Sequence, residues 1–305
     1  MAKWTTADLP DMTGKTVAVT GAAGGIGFVV AREMARVGAH VVLAVRNVAK
    51  GRDAADQMSG DVEVSLLDVS DLRSVRAFAE AWTGPLDVLV NNAGVMDIPL
   101  TRTRDGLDLQ TATNSLGPFL LTNLLLAHIT DRVVWVTSQL HRRGHLHADD
   151  LNWETRPYKP MDAYNDSKLQ IVLFSLELQR RLDAAGSPVR SVLAHPGIAT
   201  TSLAAHSSSN VINRFSFLLN DPEHGALPTL YAATQDVPGN AYVGPDGLGS
   251  IKGHPKVRAP GKAGLDGEAA STLWVAVSEK VGLPAWGSPT FSPSPTEAHP
   301  TGKRA

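Results

Sequence analysis

The sequence predicts a doubly wound α/β architecture, a single domain built on a parallel sheet of about seven strands with helices on both faces. Three observations carry this. Strand-like and helix-like runs alternate steadily between residues 15 and 195. The strand runs are nearly continuous in apolar residues, as expected when both faces of a sheet are covered. The first strand is followed by a glycine-rich turn that opens a helix.

Residues 1–14 read as an arm. Lys15 to Thr20 is a β-branched run and the first strand. Ile26, Val29, Val30, Met34 and Val37 recur at helical spacing, and Gly38 ends that helix. His40 to Val45 is the second strand. A polar helix fits 48–58, and Val62 to Leu67 is the third strand. Asp71 to Trp82 reads as helix and Leu86 to Asn91 as the fourth strand. Helical stretches around 104–127 and 161–185 enclose a fifth strand, Arg132 to Ser138, and Val189 to His195 is the sixth. The domain is expected to run over 15–283. Residues 205–220 break the alternation and read as an insertion whose apolar residues, Val211 to Leu219, suit a lid, a membrane-touching patch or a subunit contact. Residues 284–305, rich in proline and poor in apolar residues, read as a disordered tail.

Bulk properties exclude several classes. A net charge of −2 gives no general attraction to nucleic acid or anionic membrane. The absence of cysteine removes disulfides, thiolate–metal sites and cysteine nucleophiles. The N-terminus carries no apolar run of secretory type. The most apolar stretch, Leu116 to Ile129, is shorter than the roughly 20 residues that span a bilayer. The expectation is a cytoplasmic protein without an integral membrane span. His141, His145 and His147 lack the further ligands of a metal site and read as a solvated loop. Leu120, Leu121, Leu124 and Leu125 suit core or a helix–helix dimer face.

Two motifs point to chemistry. In Thr20-Gly21-Ala22-Ala23-Gly24-Gly25-Ile26-Gly27, glycines would let the backbone approach a pyrophosphate, with the next helix offering its N–H groups. The spacing is G-x-x-x-G-x-G, and a plain flexible turn is the bland alternative. At the end of the second strand stand Arg46 and Asn47, with no carboxylate before Asp53. An arginine there accommodates a 2′-phosphate, which favours NADP(H) over NAD(H); a solvated arginine opening a helix is the alternative. Tyr164 and Lys168, four residues apart, share one helical face. A cation held there is expected to draw the phenol below its usual pKa of about 10. Together the motifs suggest hydride transfer on a nicotinamide cofactor with the tyrosine exchanging the proton. Ser138, Asn91-Asn92-Ala93-Gly94 and His195-Pro196-Gly197 end successive strands on the same edge, where ligands bind in open α/β sheets.

With these residues in view, the chain resembles the short-chain dehydrogenase/reductase family, a Rossmann-fold family. The matching motifs are Thr20-Gly21-x-x-x-Gly25-Ile26-Gly27, Asp68-Val69, Asn91 to Gly94, Asn114, Ser138, Tyr164-x-x-x-Lys168 and Pro196-Gly197-x-x-x-Thr201. The separation of Ser138 and Tyr164 is long for the family. That separation, with Ser138-Gln-Leu-His141, Asp150-Leu-Asn, Ala163 to Leu169 and Gly244-Pro-Asp-Gly-Leu-Gly, is similar to the retinol-dehydrogenase and protochlorophyllide-reductase branch, which mostly prefers NADP(H).

The resemblance implies roles. Tyr164 would be the acid in carbonyl reduction and the base in alcohol oxidation. Lys168 would depress the tyrosine and bind the nicotinamide ribose, and Ser138 would polarise the substrate oxygen. Asn114 would position a water linking Lys168 to solvent. Asp68 and Val69 would bracket the adenine, Asn92, Ala93 and Gly94 would line the adenosine side, and Pro196, Gly197 and Thr201 would hold the carboxamide. Asp68 could instead belong only to the cap of the next helix. The expected substrate is an apolar carbonyl or alcohol, and a homodimer or homotetramer is compatible. A dinucleotide-binding sensor or scaffold without turnover is the rival reading.

Overall fold

The computed structural model describes residues 3–197 and 221–284. Thr201, the insertion at 205–220 and the tail beyond Pro284 lie outside the described residues. One eight-stranded sheet forms the centre, in the order β3-β2-β1-β4-β5-β6-β7-β8. Its strands are β1 (Thr16–Thr20), β2 (His40–Val45), β3 (Asp61–Leu66), β4 (Leu86–Asn91), β5 (Ile129–Val136), β6 (Arg190–Ala194), β7 (Tyr242–Pro245) and β8 (Pro255–Arg258). All neighbours run parallel except β8, which pairs antiparallel with β7. The sequence expectation of about seven strands is thus one short. The edge pair β7 and β8 is only four residues per strand and carries Gly244, Pro245 and Pro255, so no apolar period marks it.

The alternation of buried side chains shows why the strands read as apolar throughout. In β1, Val17 and Val19 enter one core while Ala18 enters the other; in β4, Val88 and Val90 oppose Leu86 and Leu89. The first core is closed by α1 (Gly25–Arg36) and α7 (Pro222–Thr234), with α2 (Val48–Ala55) at its margin. The second is closed by α3 (Leu72–Ala81), α5 (Gly117–Leu125), α6 (Pro160–Ala184) and α8 (Gly267–Lys280). There Trp274 meets the Phe119 ring edge-on at 4.7 Å. Leu120, Leu121 and Leu125 are fully buried in the monomer, so that run is core. Gly38 ends α1 in the left-handed region at φ +96°, as its position suggested.

The expected helix over 104–127 begins later, with α4 (Leu109–Thr111), which passes through a π-helical turn, Ala112–Leu116, into α5. Asp108 caps it, accepting from Thr111 N at 2.8 Å. The N-terminal arm is docked: Met12 N donates to Val37 O at 2.8 Å, and the Trp4 ring packs edge-on to Tyr231 at 5.3 Å. No helix of the described residues is long and apolar enough to cross a membrane.

Candidate active site

Strand order reverses between β1 and β4, and this switch point is where open α/β sheets leave a crevice. Thr20 knits its two lips together. Its Oγ1 accepts from the backbone N–H groups of Asn92 and Ala93, both at 3.0 Å, and its carbonyl accepts from Asn92 Nδ2 at 2.8 Å. The glycines are required by this close approach. Gly21 sits at φ +69°, and a Cβ on it would lie 3.0 Å from Ala93 Cα. A Cβ on Gly27 would collide with the Asn92 amide and lie 2.7 Å from Gly21 O. Gly24 gives α1 no side-chain cap, so the first-turn N–H groups can serve an anion.

The resulting cleft has a volume of about 470 Å³ and joins the expected nucleotide residues on one surface. Gly21, Gly25, Ile26 and Gly27 line it after β1, Arg46 and Asn47 after β2, Asp68 and Val69 after β3, Asn92, Ala93 and Gly94 after β4, and Pro196 after β6. Lys50, Thr113 and Thr137 also line it and were not anticipated. Lys50 sits in the first turn of α2, which follows Arg46 and the cap Asn47. Asn47 also caps α2, accepting from Lys50 N at 3.0 Å. Asp68 Oδ1 accepts from Ser70 N and Oγ at 2.9 and 2.7 Å, and the cap of α3 is Asp71 instead. Asn114, Ser138 and Gly197 stand outside this lining.

Tyr164 and Lys168 reach the same cleft from α6, and both are almost fully buried. Lys168 Nζ donates to the Val136 carbonyl at 3.1 Å and lies 5.7 Å from the Tyr164 ring centroid. The electrostatics differ from the sequence expectation of an acidified phenol. Burial pushes the Tyr164 phenol up to about 12, against the lowering effect of a hydrogen bond with Ser138. Burial likewise pushes Lys168 down to about 8. Sequence spacing reports that the two side chains are neighbours, whereas their depth, which sets the sign, comes from tertiary packing. At neutral pH the phenol carries its proton.

Asn114 sits in the π-helical turn, a device often found at functional sites. Its Oδ1 accepts from Val95 N at 2.8 Å, and its Nδ2 donates to Val95 O and Ser167 Oγ, both at 2.9 Å. The amide therefore ties the loop after β4 to α6. Gly94 fits between: a Cβ there would lie 3.2 Å from Asn114 Oδ1 and 3.5 Å from Lys168 Nζ.

Ser138 caps the 3₁₀ turn Gln139–Arg143, its Oγ accepting from Leu140 N at 3.2 Å. The hydroxyl proton is left to serve Tyr164 or a ligand. His141 departs from the expected solvated loop and is fully buried, whereas His145 is exposed. Among the described residues no group of side chains could hold a metal ion. His195 is also fully buried, with Nδ1 accepting from Gly197 N at 3.1 Å. Its ring stacks on Tyr242 at 5.6 Å. Burial holds it neutral and pushes it down to about 3.

Comparison with known proteins agrees with this geometry. Residues 15–150 match the family model described as short chain dehydrogenase. Human retinol dehydrogenase 13 is 40% identical over 296 residues, covering 89% of this chain and 86% of that protein. The crystal structure of an uncharacterized protein from Mycobacterium paratuberculosis is 46% identical, covers 92% of this chain and 98% of its own, and superposes with a TM-score of 0.83. A structure described as an NAD(P)-dependent gluconate 5-dehydrogenase from Beutenbergia cavernae, with bound NADP at low occupancy, is 26% identical and covers 73% of this chain and 91% of its own at a TM-score of 0.56. The chain belongs to the short-chain dehydrogenase/reductase family of oxidoreductases, in its retinol-dehydrogenase-like branch.

Proposed function

We propose that the protein is an NADP(H)-dependent oxidoreductase that interconverts an apolar carbonyl compound and its alcohol, with Tyr164 as the proton-exchanging group. One observation carries this reading: Tyr164 and Lys168 line the same cleft as the glycine-rich turn. The dinucleotide fits the residues present, because the glycines leave backbone where a Cβ would collide and α1 opens uncapped. Gly21, Gly25, Ile26 and Gly27 would hold its pyrophosphate, Asp68, Val69 and Asn92 to Gly94 its adenosine, and Lys168 its nicotinamide ribose. Pro196, Gly197 and Thr201 would hold the carboxamide. When bound, the nicotinamide supplies or receives the hydride.

The chain's own part is protonic and positional. Tyr164, protonated at neutral pH, gives its Oη proton to the carbonyl oxygen during reduction and takes one back from the alcohol in the reverse direction. Ser138 holds the same oxygen by its hydroxyl proton. Lys168 keeps a positive charge beside the phenolate that Tyr164 becomes. Asn114 acts through Val95 and Ser167, fixing the loop after β4 against α6.

Preference for NADP(H) rests on Arg46 and Lys50, two cations that line the cleft with no carboxylate between β2 and Asp53. An apolar substrate is favoured by the relatives, which are named retinol dehydrogenases. The test is turnover of NADPH and of NADH with a panel of aliphatic aldehydes, ketones and retinal. Faster turnover with NADPH on at least one carbonyl is the expected result. Tight NADPH binding with no carbonyl reduced and no alcohol oxidised would replace this reading with a dinucleotide-sensing scaffold.

A further inference from the structure

We propose that His141 is a positioning residue that sets the Ser138 hydroxyl, and that it does so in one fixed tautomer by bracing the turn after β5 against the distant segment at Gly261. The proposal rests on the role given to Ser138 above. His141 Nδ1 lies 2.6 Å from Ser138 O, and Gly261 N donates to His141 Nε2 at 2.8 Å. Both partners are backbone groups of fixed polarity: a carbonyl accepts only and an amide N–H donates only. The ring therefore carries its proton on Nδ1 and a lone pair on Nε2. The other tautomer would set a lone pair against the Ser138 carbonyl and N–H against N–H at Gly261, and the imidazolium would keep the second conflict.

The ring has no room to turn. It is fully buried and meets the Tyr242 ring edge-on at 5.4 Å, while Tyr242 Oη donates to Gln139 Oε1 at 3.2 Å within the same turn. Gly261 allows the approach, since a Cβ there would lie 3.2 Å from His141 Nε2 and 3.0 Å from Arg142 Cγ. The brace joins positions 120 residues apart. Ser138 O already accepts from His141 N at 3.0 Å in the 3₁₀ turn, so the imidazole adds a second, rigid hold on the residue given the substrate oxygen above. Misplacing a group that orients reacting atoms by about 1 Å costs on the order of 100-fold in rate.

The test has an arm independent of turnover. Nitrogen-15 NMR of the wild-type imidazoles should show His141 as the neutral Nδ1–H tautomer; an Nε2–H tautomer overturns the proposal. Crystal structures of His141→Leu and His141→Gln with NADP should show Ser138 Oγ displaced in the first and retained in the second, whose side-chain amide offers one donor and one acceptor. With retinal and NADPH, His141→Leu should lose about 10- to 100-fold in kcat with KM and NADPH affinity little changed, and His141→Gln should recover most of it. Ser138 unmoved in the leucine variant, or wild-type kcat there, contradicts the proposal. A wild type that turns over no carbonyl counts against the enzymatic reading, while the tautomer and the position of Ser138 still decide the role of His141.

Discussion

The Lys168 ammonium is spent on the Val136 carbonyl, 3.1 Å away at the end of β5, from a side chain that is almost wholly buried. The fold thus keeps a cation where water would hold it more cheaply. Burial lowers Lys168 from 10.5 to about 8, so the folded chain binds this proton less tightly than the unfolded chain does. The resulting stability deficit is complete below pH 8 and fades as pH rises toward 10.5.

Replacing Lys168 with Met is therefore expected to stabilise the protein, by on the order of 3 kcal/mol at pH 7, while abolishing turnover. Thermal unfolding of both proteins between pH 7 and pH 10 checks this. The advantage of Lys168→Met should shrink as pH rises, and a gap that stays constant over this range would assign the effect to packing.

His195 gives the acid-side counterpart. Its folded pKa of about 3 lies below the ordinary 6.5, because the buried ring excludes charge and faces His141, Arg258 and Arg142. The stability it contributes is complete above pH 6.5 and is lost as pH falls toward 3. Wild type should lose stability between pH 6.5 and pH 4 more steeply than His195→Asn, whose side chain does not titrate. Parallel declines in denaturant midpoint would remove His195 as the cause.

Arg46 and Lys50 should set the nucleotide preference together. Substituting both by Ala is expected to weaken NADPH binding about 10- to 100-fold, the worth of charge-assisted contacts to a phosphate, and to leave NADH binding nearly unchanged. Fluorescence titration of each nucleotide measures this; equal weakening of both would place the pair's effect on the shared pyrophosphate.

Legibility in the sequence followed the range of the interactions. The bounds of β2 and β4 are readable to the residue because each is dominated by apolar residues, with His40 opening β2, and Asp87 and the closing Asn91 the polar positions of β4. The glycine lip, Tyr164 and Lys168 are readable because their spacing is local. β7 and β8 were silent, being short and interrupted by glycine and proline. The burial of His141 was illegible because its partners Tyr242 and Gly261 arrive from the far end of the chain. The direction of the Tyr164 shift was illegible for a related reason: a lysine four residues on argues for a lower pKa, but burial, which sequence spacing does not encode, raises it, and the opposing effect comes from Ser138. The bonds of Asn114 to Val95 and Ser167 depend on the π-helical turn, which no pattern announced.

The central claim is that the Tyr164 hydroxyl exchanges the substrate proton inside a cleft built for NADP(H). Its most direct test is kcat/KM for NADPH-dependent reduction of retinal by wild type and Tyr164→Phe, with NADPH affinity measured alongside. The expected result is a loss of about 100- to 10,000-fold in kcat/KM with NADPH affinity almost unchanged. A phenylalanine variant that binds NADPH and reduces retinal at close to the wild-type rate would contradict it.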